Sequence, residues 1–215
     1  MLTLALPTGR VLNDCIEILE GSGLPTERLR NAGRNLVIRE ATFQYLLSKP
    51  SDIPTLVCQG AADLALAGSD VITETGLELV ELLDTGKGRC FMAIAGPKEL
   101  AERFRRHESE LMGLRIATKY LSTAEKTFAA RGVQVRLLHL HGSVELAPAL
   151  GLSDCILDIV QTGSTLVANG LEVIERTADV SLRLIGNPGA LQLRWEELSG
   201  VVSALRSFIE KEDKS

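Results

Sequence analysis

The stretch "DIVQTGSTL" (158–166) holds the densest set of groups able to grip an anion. Thr162, Ser164 and Thr165 surround Gly163, and Gln161 precedes them. Glycine lets the backbone approach a ligand closely, and hydroxyls can donate to phosphate oxygens. Asp158, just before the turn, has the acceptor chemistry to face a ribose hydroxyl or a hydrated Mg²⁺. The segment lacks the GK[ST] ending of a Walker loop. A plain strand–turn–helix join, with Thr162 or Ser164 as N-cap, accounts for the same residues at least as well from spacing alone.

Three further turns have chemistry-bearing residues. In "LPTGRV" (6–11) a strand runs into a glycine turn, and Arg10 stands where a helix begins. A cation there opposes the helix dipole, so an anionic partner would explain it. In "HGSVELAP" (141–148) Glu145 falls on a first helical turn, where a carboxylate is favoured with or without a function. In "GAADLALAGSD" (60–70) Asp70 falls at a helix cap. His139 and His141 alternate and can share a strand face, but no third ligand has suitable spacing for a metal. No Ser/His/Asp or Cys/His arrangement can be argued.

Turns of this kind bind ligands when they lie beyond the carboxyl ends of strands in an α/β sheet. The hydrophobic pattern supplies such strands. Expected strands cover 2–6, 35–40, 42–48, 62–68, 77–84, 90–97, 114–119, 133–140, 154–160 and the region 171–186. Helical periodicity falls on 10–23, 98–111, 122–131, 143–150, 164–169 and 194–211. Asp52 is expected to cap a short helix with Pro54 in its first turn, and Ser69 or Asp70 to cap the next. Apolar strands separated by helices imply largely parallel sheets covered on both faces. The charged stretch 98–111 divides two such sets, which predicts two α/β lobes.

The composition is ordinary for a globular protein, with 45% hydrophobic and 24% charged residues among 215. A net charge of −5 argues against nonspecific nucleic-acid binding, which needs a broad basic surface. No apolar run reaches the ~18–20 residues that span a bilayer. The first residues lack the pattern of a signal peptide, so a cytoplasmic location is expected. Cys15, Cys58, Cys90 and Cys155 stand far apart in apolar stretches, which reads as free, buried thiols.

Taken in order, these segments resemble one family, the catalytic chain of ATP phosphoribosyltransferase. The resemblance is carried by "LPTGRV" (6–11), "KPSDIPTLVCQGAADLALAGSDVITE" (49–74), "GKGRCFMAIAGP" (86–97), "RIATKY" (115–120) and above all "HGSVELAPALGLSDCILDIVQTGSTLVANGL" (141–171). It implies an α/β fold of two lobes like type II periplasmic binding proteins, with the active site in the inter-lobe cleft. Lobe 1 would comprise 1–91 and a return segment 176–215, and lobe 2 would comprise 92–175. The implied reaction joins N1 of the ATP adenine to C1 of 5-phosphoribosyl 1-diphosphate (PRPP) with Mg²⁺ present, the first step of histidine biosynthesis.

By the same resemblance, Asp158, Gln161, Thr162, Gly163, Ser164 and Thr165 bind PRPP. Arg10 and Arg34 are the catalytic cations, and Gly9, Asp70 and Glu145 line the ATP site. Family members often carry lysine where Thr8 stands and arginine where Lys49 stands, so no cationic role is expected at position 8. The length matches the family's short form. That form implies a core homodimer within a hetero-octamer, with a regulatory subunit resembling histidyl-tRNA synthetase. The competing reading is a ligand-binding module of the same fold without catalysis.

Overall fold

The structure, a computed structural model, describes residues 1–106 and 112–212; the expected helix 98–111 ends outside the described residues. The chain forms two compact units, Met1–Gly88 with the chain from Ser181 onward, and Arg89–Val180.

The first unit opens with β1 (Leu2–Pro7), α1 (Leu12–Gly21), α2 (Glu27–Arg30), β2 (Val37–Glu40) and β3 (Phe43–Ser48). It continues with α3 (Ile53–Cys58), β4 (Leu64–Gly68), α4 (Ser69–Thr75) and β5 (Val80–Asp84). The second unit holds β6 (Cys90–Pro97), α5 (Lys98–Arg106), β7 (Arg115–Thr118), α6 (Leu121–Ala130) and β8 (Arg136–His139). It ends with α7 (Leu146–Ala149), β9 (Cys155–Val160), α8 (Ser164–Ala168) and β10 (Leu171–Val180). The chain then returns to the first unit as β11 (Leu182–Gly186) and α9 (Pro188–Glu212).

The sheets are mixed, not largely parallel as the alternation of elements implied. The first has the order β2-β3-β1-β4-β11-β5 and the second β10-β6-β9-β7-β8. β1 is parallel to β3 and β4, and β7 is parallel to β8 and β9. The hairpin partner β2 and the returning strand β11 run antiparallel to their neighbours, as do β6 and β10 to theirs. Apolar patterning alone does not distinguish a crossover from a hairpin between long strands, so this departure was not visible in composition. β6 and β10 pair from Cys90↔Val180 to Pro97↔Leu171. That ladder carries the second unit out to Arg89 and Val180, beyond the expected bounds of 92 and 175.

Period-two burial sorts each sheet into two faces. Leu4 and Leu6 of β1 join Leu64 and Leu66 of β4 under α1 and α9, packing with Ile18, Leu19, Leu198 and Leu205. Ala5, Ala65 and Ala67 take the opposite face against Ile53 and Val57 of α3, where small side chains let the helix approach closely. The second unit repeats the scheme. Met92, Ile94, Ile116 and Leu157 pack on Phe128 of α6, while Ala93, Ala95 and Ala117 face Ala147 and Leu166. Each fully buried large side chain contributes ~1.5–3 kcal/mol relative to exposure. Cys15 and Cys155 are buried within these cores, whereas Cys58 and Cys90 are half-buried.

Several helix starts differ from expectation. Asp52 is the N-cap residue of α3 and Pro54 lies in its first turn, as expected, but the Asp52 side chain makes no cap bond; its carboxylate accepts from Ser51 Oγ at 3.0 Å. Gly68, not Ser69 or Asp70, is the N-cap of α4, and Ser69 Oγ accepts the Ser181 N–H at 3.3 Å. The expected C-terminal helix begins at Pro188 instead of 194 and is broken at Arg194 (φ −130°, ψ 26°). Arg194 there donates to Asp63 and Glu197, each at 2.7 Å.

Candidate active site

Both units contain the same local topology, which the amino-acid pattern did not reveal. In each, one strand is followed by a parallel neighbour on one side and then by another on the opposite side: β1, then β3 and β4; β7, then β8 and β9. The chain therefore changes direction across the sheet between β1 and β4, and again between β7 and β9. Loops beyond the carboxyl ends of such strands diverge and leave room for a ligand. The expected site residues fall at these two places.

In the first unit β1 ends at Pro7, and Thr8–Gly9–Arg10 makes the turn into α1. Gly9 has φ +87°, a conformation that favours glycine. Thr8 N–H donates to Ser48 O at 2.7 Å, which ties this turn to the end of β3. Val11 is the N-cap of α1, and Arg10 is exposed just before it. Arg34 is exposed after Gly33 (φ +60°) on the approach to β2. β2 runs antiparallel to β3, and Leu47 N–H donates to Leu36 O at 2.8 Å. Arg34 thus arrives at the same carboxyl edge as Arg10. Asp70, in the first turn of α4, folds back over Gly68; a Cβ on that glycine would collide with Asp70 Oδ1. Gly9, Arg10, Arg34 and Asp70 are therefore gathered at one edge of the first sheet.

In the second unit β9 delivers Asp158 and the turn Gln161–Thr165. Gly163 has φ +78° and is itself the N-cap of α8, with no side-chain cap bond. The plain reading of this turn, a helix start capped by Thr162 or Ser164, does not describe it. Instead Thr162 Oγ1 and Ser164 Oγ lie 3.0 Å apart, and Ser164 N–H reaches Thr162 Oγ1 only at 3.4 Å. Gln161, Thr162, Ser164 and Thr165 are exposed. The helix that follows has only 5 residues, so the turn's own N–H and hydroxyl groups, more than a helix dipole, are what it offers an anion.

Glu145 is the N-cap residue of α7, one position earlier than a first-turn assignment, and is half-buried. Its charge is felt by Asp158. Burial pushes the Asp158 carboxyl above its ordinary value and repulsion from Glu145 adds to this, while Lys119 and the Ile159 N–H oppose it. The Asp158 side chain is 16% exposed, and Lys119 Nζ lies 3.6 Å from its Oδ1. Lys119 escaped the sequence assignment. Its signal was position: the first residue after β7, opposite the residue that follows Leu157 in the β7–β9 ladder. His139 and His141 stand at the end of β8, with ring centroids 4.6 Å apart. Asp158, Gln161–Thr165, Glu145 and Lys119 are thus gathered at one edge of the second sheet.

A family model described as ATP phosphoribosyltransferase matches residues 49–207. The chain belongs to this family. An ATP phosphoribosyltransferase of Rubrobacter xylanophilus is 41% identical over 95% of the chain and 94% of its own length. Among solved structures, the ATP phosphoribosyl transferase (HisG:HisZ) complex from Thermotoga maritima contains a chain of similar fold. It matches with a TM-score of 0.81 and 30% identity, covering 98% of this chain and 100% of that one. The Bordetella pertussis BvgS periplasmic VFT2 domain matches with a TM-score of 0.60 at 16% identity, covering 98% of this chain and 92% of that one, a likeness of fold alone. The fold class is thus the α/β type shared with type II periplasmic binding proteins, as the resemblance implied. Membership in the ATP phosphoribosyltransferase family makes the chain a phosphoribosyl-transferring enzyme of the first step of histidine biosynthesis.

Proposed function

We propose that the chain transfers the 5-phosphoribosyl group from PRPP to N1 of the ATP adenine, with the residues gathered at its two sheet edges dividing the work. The observation that supports this most is the open turn Gln161–Thr165, which leads from a strand carrying a half-buried carboxylate. In this reading Thr162, Ser164, Thr165 and the N–H groups around Gly163 hold the 5-phosphate, with Gln161 at the turn's entrance. Asp158 accepts from ribose hydroxyls. Gly9, Asp70 and Glu145 contribute to the ATP site.

The chemistry asks for fixed charges more than for a nucleophilic side chain. The adenine N1 lone pair forms a bond to C1 as the C1–O bond breaks, and that electron pair leaves on diphosphate. Positive charge grows on the ribose and negative charge on the leaving group. Positioned countercharges stabilise such a transition state because they need no reorganisation. Arg10 and Arg34 are exposed, and neither makes an ion pair or side-chain hydrogen bond among the described residues. They are therefore available to the diphosphate. Arg10→Ala and Arg34→Ala are each expected to lower kcat by ~10²-fold or more, the scale of a lost transition-state donor. Steady-state release of diphosphate from PRPP and ATP measures this, and wild-type turnover in both variants would sink the assignment.

Among the described residues no cluster of three or more His, Cys, Asp or Glu side chains is placed to hold a metal. In this reading Mg²⁺ is carried in on the substrate phosphates, since it keeps its waters and commonly needs few protein ligands. When bound it would neutralise charge on the diphosphate. A ligand-binding module would bind PRPP without releasing diphosphate, so the assay with PRPP, ATP and Mg²⁺ also tests that reading.

Regulation is assigned to another chain. The Thermotoga maritima neighbour was solved as a HisG:HisZ complex. We place this chain in a similar assembly, a hetero-octamer built on core homodimers with a regulatory subunit resembling histidyl-tRNA synthetase. No helix among the described residues is long and apolar enough to cross a membrane, which is compatible with work in the cytoplasm. The purified chain is expected to turn over without inhibition by histidine. Calorimetric titration of histidine checks this: saturable binding to the chain alone, with inhibition, would overturn it.

A further inference from the structure

We propose that Lys119 is a positioning residue of the ribose subsite, holding the Asp158 carboxylate so that one oxygen is left for a ribose hydroxyl. The inference rests on the reading of the Asp158–Thr165 segment given above, and adds a residue which that reading did not include.

The pairing follows from register. β7 and β9 are parallel neighbours, with Thr118 opposite Leu157, so Lys119 and Asp158 leave the sheet side by side. They do so where the chain changes direction across the sheet, at the place such folds use for ligands. Three contacts restrict Lys119. Its backbone lies in a turn closed by Tyr120 N–H donating to the buried Thr118 Oγ1 at 2.9 Å. Its Nζ stands 4.9 Å from the centre of the Tyr120 ring, itself only 3% exposed. The same Nζ is 3.6 Å from Asp158 Oδ1.

Oδ1 is therefore engaged twice, by the ammonium and by the Ile159 N–H at 2.8 Å. Oδ2 takes no hydrogen bond from the described residues, so it is the oxygen left to accept from a hydroxyl. Without Lys119 the surroundings would turn against the carboxylate. Burial and the neighbouring Glu145 both disfavour its charge, and Lys119 is the cation that opposes them. A carboxyl in that setting would rotate or take up a proton, and a protonated carboxyl is a weaker acceptor.

The test uses the full-length chain with two probes, ribose 5-phosphate and inorganic phosphate, titrated calorimetrically. Lys119→Met keeps most of the aliphatic stem over Tyr120 and removes the charge. It is expected to weaken ribose 5-phosphate by about tenfold or more, the scale of one hydrogen bond to a charged group. Inorganic phosphate binding should change less than about twofold, because it never uses Asp158. In steady state KM for PRPP should rise while KM for ATP stays, and Lys119→Arg should restore most of the loss. Equal weakening of both probes would mean that Lys119 touches the phosphate directly and would overturn the proposal. So would an unchanged ribose 5-phosphate affinity, or a loss that arginine does not rescue. Failure of the wild-type chain to bind either probe would instead sink the reading of the turn itself, and the role of Lys119 with it.

Discussion

Gly163→Val should raise the Kd for PRPP by ~10²-fold or more while the fold survives, the loss being that of about two charge-assisted hydrogen bonds. The protein itself leaves room for the new side chain. A Cβ at Gly163 would find only Val160 Cγ1, at 3.9 Å. The internal cost is therefore one of backbone, since valine is poorly suited to φ +78°. Such strain amounts to ~1–3 kcal/mol, or roughly 2–4 °C of Tm per kcal/mol in a chain of this size. The ligand is affected more. The valine methyls would stand on the open side of the turn, over the N–H groups and hydroxyls that are to meet the phosphate. Gly163→Asn separates the two effects, because asparagine tolerates the left-handed region. It should recover the lost stability without recovering PRPP affinity. Calorimetry for binding and a thermal melt for stability give both readouts, and wild-type affinity in the valine variant would discard the turn as a phosphate cradle.

What could be read beforehand was what leaves a local trace. The apolar run 2–6 announced a strand and the helical periodicity over 10–23 announced α1, whereas the division of β1 into a Leu4/Leu6 face under α1 and an Ala5 face came only with the structure. Strand ends followed by glycine turns marked the edges where Gly9, Arg10, Asp70 and the 161–165 turn stand. Strand direction left no such trace. β10 and β11 return antiparallel beside β6 and β4, pairings between residues such as Ala178 and Met92 that are far apart in sequence. Arg34 was reached only through the family resemblance, since its place depends on the β2–β3 hairpin that turns it back to the edge of β1. Lys119 was missed because a lysine after a short strand is ordinary by itself. Only the β7–β9 register, with Thr118 opposite Leu157, makes it the neighbour of Asp158. Helix caps failed for a related reason. Ser69 and Asp70 had the right side chains for an N-cap, but the backbone of α4 starts one residue earlier, at Gly68.

Asp158→Asn is expected to move activity and stability in opposite directions. Burial, with Glu145 adding to it, raises the carboxyl pKa above its ordinary value of 3.8 even though Lys119 pulls the other way. A carboxylate whose folded pKa lies above its unfolded one is held in its charged form at a cost to the fold. The cost is absent at pH values below the unfolded pKa. It grows as pH rises from there through the folded pKa, and is then constant. Asparagine has the same shape and no charge to bury, and Lys119, whose side chain is 36% exposed, can be solvated when its partner is gone. Tm at neutral pH should therefore stay level or rise in the variant, and the difference from wild type should shrink as the pH is lowered toward 4. Binding should fall, because the amide is a weaker acceptor for ribose hydroxyls than a carboxylate. The bond at Oδ2 lost from a charged acceptor corresponds to about tenfold or more in kcat/KM for PRPP. Melts at several pH values beside steady-state kinetics decide the matter. If Tm and kcat/KM fall together at neutral pH, Asp158 is holding the fold and not the ribose. If kcat/KM stays at the wild-type level, the ribose is held elsewhere. A carboxylate that costs stability and is nevertheless present at the edge of a sheet is best explained by what it binds.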